Sequence, residues 1–244
     1  MADKIHNPLE QFQIKEIIPI EFLGYNISFT NSSLFMCLAV FVVFLLLGLS
    51  VKNPTKIPSR IQAFGEVLYG FLIDMIDSTA GPEAKKFAPV IFSLFIFILA
   101  CNFLGLVPYS FTVTSHIVVT FAMAIFVFLS VTLIGFIRHG FHFFSLFLPQ
   151  GVPLLIAPFI IPIELFAYLV RPVSLSVRLA ANMTAGHVAM KVIAGFIIMF
   201  PMVSIFPFAL LTLLVGFEIF VAVLQAYIFT ILSCVYLSDA MNLH

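Results

Sequence analysis

Tryptophan is absent from the 244 residues and charge is scarce, with lysine, arginine, aspartate and glutamate making up 9% of the chain. So little charge cannot solvate the surface of a water-soluble domain of this length. The charges also balance, 11 basic against 11 acidic, which leaves no basic field for nucleic acid or an acidic partner. Cysteine is rare too. Cys37, Cys101 and Cys234 lie singly in apolar runs without metal-ligand spacing, and they read as small buried hydrophobes rather than ligands or a disulfide. No metal site and no cofactor is expected, and no GxxxxGK[ST] loop occurs to hold a nucleotide. What fills the chain instead is hydrocarbon: 62% hydrophobic residues, 31 of them phenylalanine, with a mean hydropathy of +1.20. The expected class is an all-α integral membrane protein whose main surroundings are the lipid bilayer.

Residues 1–33 mix Asp3, Lys4, Glu10, Lys15, Glu16 and Glu21 with Pro8 and Pro19, without an apolar signal core or an arginine-rich transit pattern. They read as an ordered or partly ordered lead-in on the outer side. Asn26 and Asn31 head N-x-S triplets that read as chance matches to a glycosylation acceptor. Residues 34–51 carry no charge and are long enough, at about 1.5 Å per residue, to nearly cross a hydrocarbon core of about 30 Å. The loop that follows, with Lys52, Lys56 and Arg60 broken by Pro54 and Pro58, is placed on the inner side by its positive charge.

Residues 61–86 alternate an apolar stripe (Phe64, Leu68, Phe71, Leu72, Met75) with Glu66, Asp74 and Asp77, the pattern of an amphipathic helix along the inner interface. Two apolar runs within 87–137 form a transmembrane hairpin. Its PYSFTVTSH connector lacks lysine and arginine and turns outward, with His116 as an interfacial residue, and Arg138, His139 and His142 return charge to the inner side. Asn102 lies inside the first run, either bonding to another helix or standing beside a water path.

Residues 152–240 differ in kind. The segment from Val152 to Phe200 would extend about 70 Å as one helix, so a break, a tilt or an in-plane stretch is expected, with Pro153, Pro158, Pro162 and Pro172 as the places for kinks. A turn near Pro201–Pro207 and a second long helix complete an antiparallel tilted hairpin. The count is five transmembrane helices plus one interfacial helix, amino terminus outside and carboxyl terminus inside.

That hairpin holds the chain's most expensive residues. An arginine at the centre of a spanning helix costs roughly 2.5–3.5 kcal/mol on insertion scales, and a guanidinium cannot shed its proton. Glu164, Arg171 and Arg178 recur every seven residues, which makes one helical stripe, extended by Asn182; Glu218 and Gln225 share the same spacing on the second helix. Residues equidistant from the turn face each other, so His187 meets Glu218 and Arg178 meets Gln225. On an ideal helix His187 points about 180° from Arg178, which assigns Arg178 outward to a partner and His187 inward to a path. Lys191 reaches the outer interface. Two readings stand at this point. Either His187 and Glu218 conduct protons while Arg178 gates, or the three only tie helices together.

Several stretches resemble one family. RPVSLSVRLAANMTAGH (171–187), GFEIFVAVLQAYIFTIL (216–232), FILACNFLGLVPYSFTVTSH (97–116) and the ending YLSDAMNLH are similar to subunit a of the F-type ATP synthase, across nearly the whole chain in order and spacing. The resemblance implies a non-catalytic proton-channel stator, with Arg178 facing the carboxylates of a rotating c-subunit ring and b-type peripheral stalk subunits as further partners. It implies an outer half-channel with His187, Glu218 and Asn182, an inner one passing near Glu164, and support of Arg178 by Gln225; Arg171 and Asn102 are secondary. The histidine and acid stand exchanged relative to one bacterial branch. A bacterial inner membrane is the expected location, with the mitochondrial inner membrane as the alternative. A solute transporter would show internal repeats, and none is found between the halves.

Overall fold

The computed structural model describes residues 12–22, 25–26, 28–52, 57–107, 110–147, 156–199 and 204–242. Two short antiparallel pairings nest inside one another before the helices: β1 (Glu16–Ile18) with β4 (Phe29–Thr30), and β2 (Glu21–Phe22) with β3 (Tyr25–Asn26). Asn31 fastens this lead-in, its Oδ1 accepting from the Lys15 amide at 3.1 Å and its Nδ2 donating to the Gln13 carbonyl at 3.0 Å. This is a structural use of the amide. The Thr30 hydroxyl then accepts from the Ser33 amide and caps α1 (Asn31–Val51).

Among the described residues, five helical segments are long and apolar enough to cross a membrane, and they contain α1, α3 (Ala88–Leu106), α4 (Ile117–His139), α5 (Ala157–Met199) and α6 (Ile205–Met241). The remaining long helix, α2 (Arg60–Ala80), is amphipathic and packs on α1, α3 and α6. Its buried face is Leu72, Met75, Ile76 and Ala80, with Leu68 partly covered. Phe64 and Phe71, expected on that stripe, are exposed (62% and 47%). In a bilayer apolarity does not mark the inward face, because the solvent on the outside is apolar too. Cys37 corrects the cysteine expectation for the same reason: it is exposed on α1, while Cys101 and Cys234 are buried.

The main core lies where α2, α3, α4, α5 and α6 converge, around Ile76, Ile98, Leu179, Met183 and Phe229. Asn102 of α3 is fully buried and donates from Nδ2 to the Ala222 carbonyl of α6 at 3.0 Å. Near the other end of α4, Phe136, Phe143, Phe147 and Tyr168 stack edge-to-face or tilted, and Thr132 and Tyr168 hydroxyls lie 2.7 Å apart. No break divides α5: its 43 residues run through Pro162 and Pro172 as one helix of about 64 Å. Proline within a spanning helix is tolerated where neighbouring helices, hydroxyl side chains or water meet the freed carbonyls. Exposed apolar side chains persist from Phe159 to Ile198, so a hydrocarbon layer of about 30 Å covers them only if the helix lies oblique. Expectations resting on Pro54, Pro153 and the start of the turn at Pro201 fall outside the described residues.

One close approach is specific enough to test. A Cβ on Gly135 of α4 would come within 2.3 Å of the Phe143 ring, which is fully enclosed and cannot swing away. Gly135→Ala is expected to destabilise the fold by about 1–3 kcal/mol of overpacking, read as a lowered unfolding midpoint in detergent.

Candidate functional site

Helix α5 carries ionisable side chains on opposed sides because nine residues make two and a half turns. Arg178 is exposed and His187 is 6% exposed, turned into the bundle. Among the described residues no hydrogen bond or ion pair to Arg178 occurs. The exposed face around it is small, with Ser174, Ala181 and Ala185 one turn or two away. Small side chains let another helix approach closely.

On the inward side His187 Nε2 lies 3.7 Å from Glu218 Oε1, and Glu218 is 3% exposed. The two come together at the level predicted from the turn. Space for the carboxyl group is made by Gly186, where a Cβ would stand 2.7 Å from Glu218 Oε1. Both carboxyl oxygens of Glu218 are buried without a hydrogen-bond partner among the described residues. The ring of Phe12, from the lead-in, meets His187 edge-on with centroids 6.3 Å apart.

Deeper along the hairpin, Asn182 Nδ2 donates to Gln225 Oε1 at 2.9 Å, which leaves the buried Gln225 Nε2 unpartnered. Gln225 therefore reaches Asn182, one turn past Arg178, and among the described residues no hydrogen bond joins it to Arg178. Asn102 also keeps a buried Oδ1 without a partner, and the carbonyl it holds belongs to Ala222, between Glu218 and Gln225 on α6. Glu218, Asn102 and Gln225 are thus three successive buried polar positions along about 10 Å of α6, each with unmet hydrogen-bonding capacity.

Arg171 has a different fate from Arg178. Its Nη1 lies 2.9 Å from Asp239 Oδ2, and its guanidinium stands over the rings of Tyr168 (5.3 Å) and Tyr236 (5.0 Å). Asp239 was not singled out from sequence; it lies about six residues, between one and two helical turns, off the position opposite Arg171 that the turn predicts. Glu164 is half-buried near the start of α5 and joins none of these groups. The connector at 110–116 was also missed, since it looks like a plain turn: Thr112 Oγ1 is 3.1 Å from His187 Nε2. His116, expected to be merely interfacial, stacks on Phe111 at 4.9 Å, and burial holds its pKa below the ordinary imidazole value.

These features define a polytopic α-helical membrane protein with a buried histidine–glutamate pair inside the bundle and an arginine on its outer face. A family model described as ATP synthase A chain matches residues 33–238, and the chain belongs to that family. It is a membrane-sector subunit of the ATP synthase, serving proton transport and ATP synthesis without being an enzyme itself.

The tight fit of Glu218 gives a controlled prediction. Gly186→Ala displaces the carboxyl group and is expected to slow proton conduction through reconstituted vesicles by about tenfold. Gly195→Ala, where a Cβ meets nothing within 4 Å, leaves the rate unchanged.

Proposed function

We propose that this subunit is the stator of the proton motor, presenting Arg178 to the carboxylates of a rotating c-subunit ring between two aqueous half-channels. The observation that carries the reading is Arg178 itself: an exposed cation on an apolar helix, with small neighbours and, among the described residues, no acid of its own chain paired with it. Such a charge is costly in lipid and becomes favourable beside a carboxylate supplied from outside.

The mechanism follows from elementary electrostatics. A fixed positive charge lowers the pKa of a carboxylate brought near it, so a ring carboxyl arriving at Arg178 releases its proton into one half-channel. It reloads from the other after nearly a full rotation. An arginine cannot relay a proton, so it also blocks a direct leak between the two. On the outer side His187 and Glu218 pass protons along the path, and Asn102, Gln225 and Asn182 continue the polar line toward the ring-facing surface. Buried polar atoms without partners demand hydrogen bonds, and water in a half-channel meets that demand. Glu164 lies on the inner route, and Arg171, held by Asp239, anchors that end of the hairpin. Each proton crossing 100 mV carries about 2.3 kcal/mol, so several cross for each ATP made. Peripheral stalk subunits of the b type hold the stator still, α2 lies along the inner interface, and the setting is a bacterial inner membrane.

Two outcomes test this. Arg178→Ala should abolish proton-driven ATP synthesis in membrane vesicles while the ring still co-purifies; synthesis at the wild-type rate defeats the assignment. Exchanging His187 and Glu218 should retain more activity than either single replacement, and equal loss in all three argues against a cooperating pair.

A further inference from the structure

A connector between two spanning helices can simply cross the end of the bundle, with its polar side chains in water. Residues 110–116 do otherwise. Thr112 and Thr114 are fully buried and Phe111 and Val113 nearly so, and the 3-10 turn Val113–Ser115 packs against α3, α4 and α5. Two contacts pin this turn to one face of α5: Thr184 Oγ1 donates to the Ser115 carbonyl at 3.4 Å, and Thr112 Oγ1 lies 3.1 Å from His187 Nε2. Positions 184 and 187 are neighbours on the helix surface. The backbone of the turn is fixed in its own right, since Ser115 Oγ donates to the Thr112 carbonyl at 2.6 Å. On the far side Gly105 of α3 makes the room, because a Cβ there would come within 2.7 Å of Thr112 Cγ2.

The same nitrogen of His187 that faces Thr112 is the one 3.7 Å from Glu218. We propose that Thr112 is the positioning residue of the pair, its hydroxyl holding His187 Nε2 toward Glu218 in both charge states of the imidazole. This rests on the reading of His187 and Glu218 as part of the proton path. A hydroxyl offers one donor and two lone pairs and rotates freely. It donates to bare Nε2 and, after turning, accepts from Nε2–H, so the ring need not flip as it gains or loses a proton. Valine fills the same volume and does neither. Without the hydroxyl, His187 keeps Glu218 as a polar neighbour and the edge of Phe12, an arrangement that leaves the ring torsion broad.

The test uses the whole ATP synthase in vesicles, reading passive proton conduction after the ATP-making sector is stripped, with ring content checked by co-purification. Thr112→Val is expected to slow conduction about three- to tenfold, the scale of one lost hydrogen bond, while Thr112→Ser stays within about twofold of wild type. Conduction by Thr112→Val at the wild-type rate overturns the proposal, and so does an equal loss in Thr112→Ser, which keeps the hydroxyl and so assigns the effect to packing at this position. If Thr112→Val fails to assemble, Gly105→Ala decides: it pushes Thr112 aside with its hydroxyl intact, and slow conduction supports the role while an unchanged rate defeats it. His187→Gln separates the two levels. If it conducts like wild type, the proton-path reading falls and takes this inference with it; if it is slow while Thr112→Val is not, only the role of Thr112 falls.

Discussion

A guanidinium has no neutral form to retreat to, and every other placement on α5 answers to that fact. Carboxylates and imidazoles can lower the cost of burial by changing protonation state; arginine must find a counter-charge, water or a dipole. The two arginines of α5, two turns apart, meet this demand differently. Arg171 is satisfied within the chain, between Asp239 and the faces of Tyr168 and Tyr236. Arg178 is exposed and, among the described residues, pairs with no acid of its own chain. If both served only to tie helices together, both would be expected to have partners on α6. The contrast separates a cation satisfied within its own chain from one that the proposed motor offers to another subunit.

The continuity of α5 is what keeps these roles apart. A kink at Pro172 would rotate Arg171 and Glu164 relative to Arg178 and uncouple the stripe; instead one helix carries all of them, and the phase between positions 178 and 187 puts one residue outside and the other within. Helix α6 repeats the logic with acceptors and amides. Glu218, the Ala222 carbonyl and Gln225 fall on one buried face, and Asn102 from α3 meets that face midway. An apolar residue at 102 would leave the carboxyl and the amide separated by about 10 Å of hydrocarbon.

Much of this was legible in the sequence, for identifiable reasons. Long uncharged runs and the seven-residue spacing are backbone geometry written in residue types, so the spans, the helical hairpin and the meeting of His187 with Glu218 could be read directly. Burial could not. Hydrophobicity sorts inside from outside only when the outside is water, and so Cys37 was placed on the wrong side and the apolar stripe of α2 did not tell its bundle-facing residues from Phe64 and Phe71. Tertiary partners of single polar residues were equally hidden: nothing local distinguishes Asp239 as the partner of Arg171, or Asn182 rather than Arg178 as the partner of Gln225. The one available signal for the connector was its run of threonine and serine without lysine or arginine, which reads as an ordinary turn until its burial is known.

That connector bears on how a proton path can exist in so apolar a protein. A chain with 9% charged residues cannot line a conduit with ionisable groups, and each one added would cost insertion energy. Hydroxyls and amides are cheaper to bury and still donate and accept. The structure holds them in that ratio: one imidazole and one carboxyl are buried together, and Thr112, Asn102, Asn182 and Gln225 supply the rest of the polar surface. Titrating groups need only be few if neutral neighbours hold them in place. In the proposed motor the selectivity of the path for protons then comes from the pair alone, and the neutral side chains determine whether that pair stays aligned.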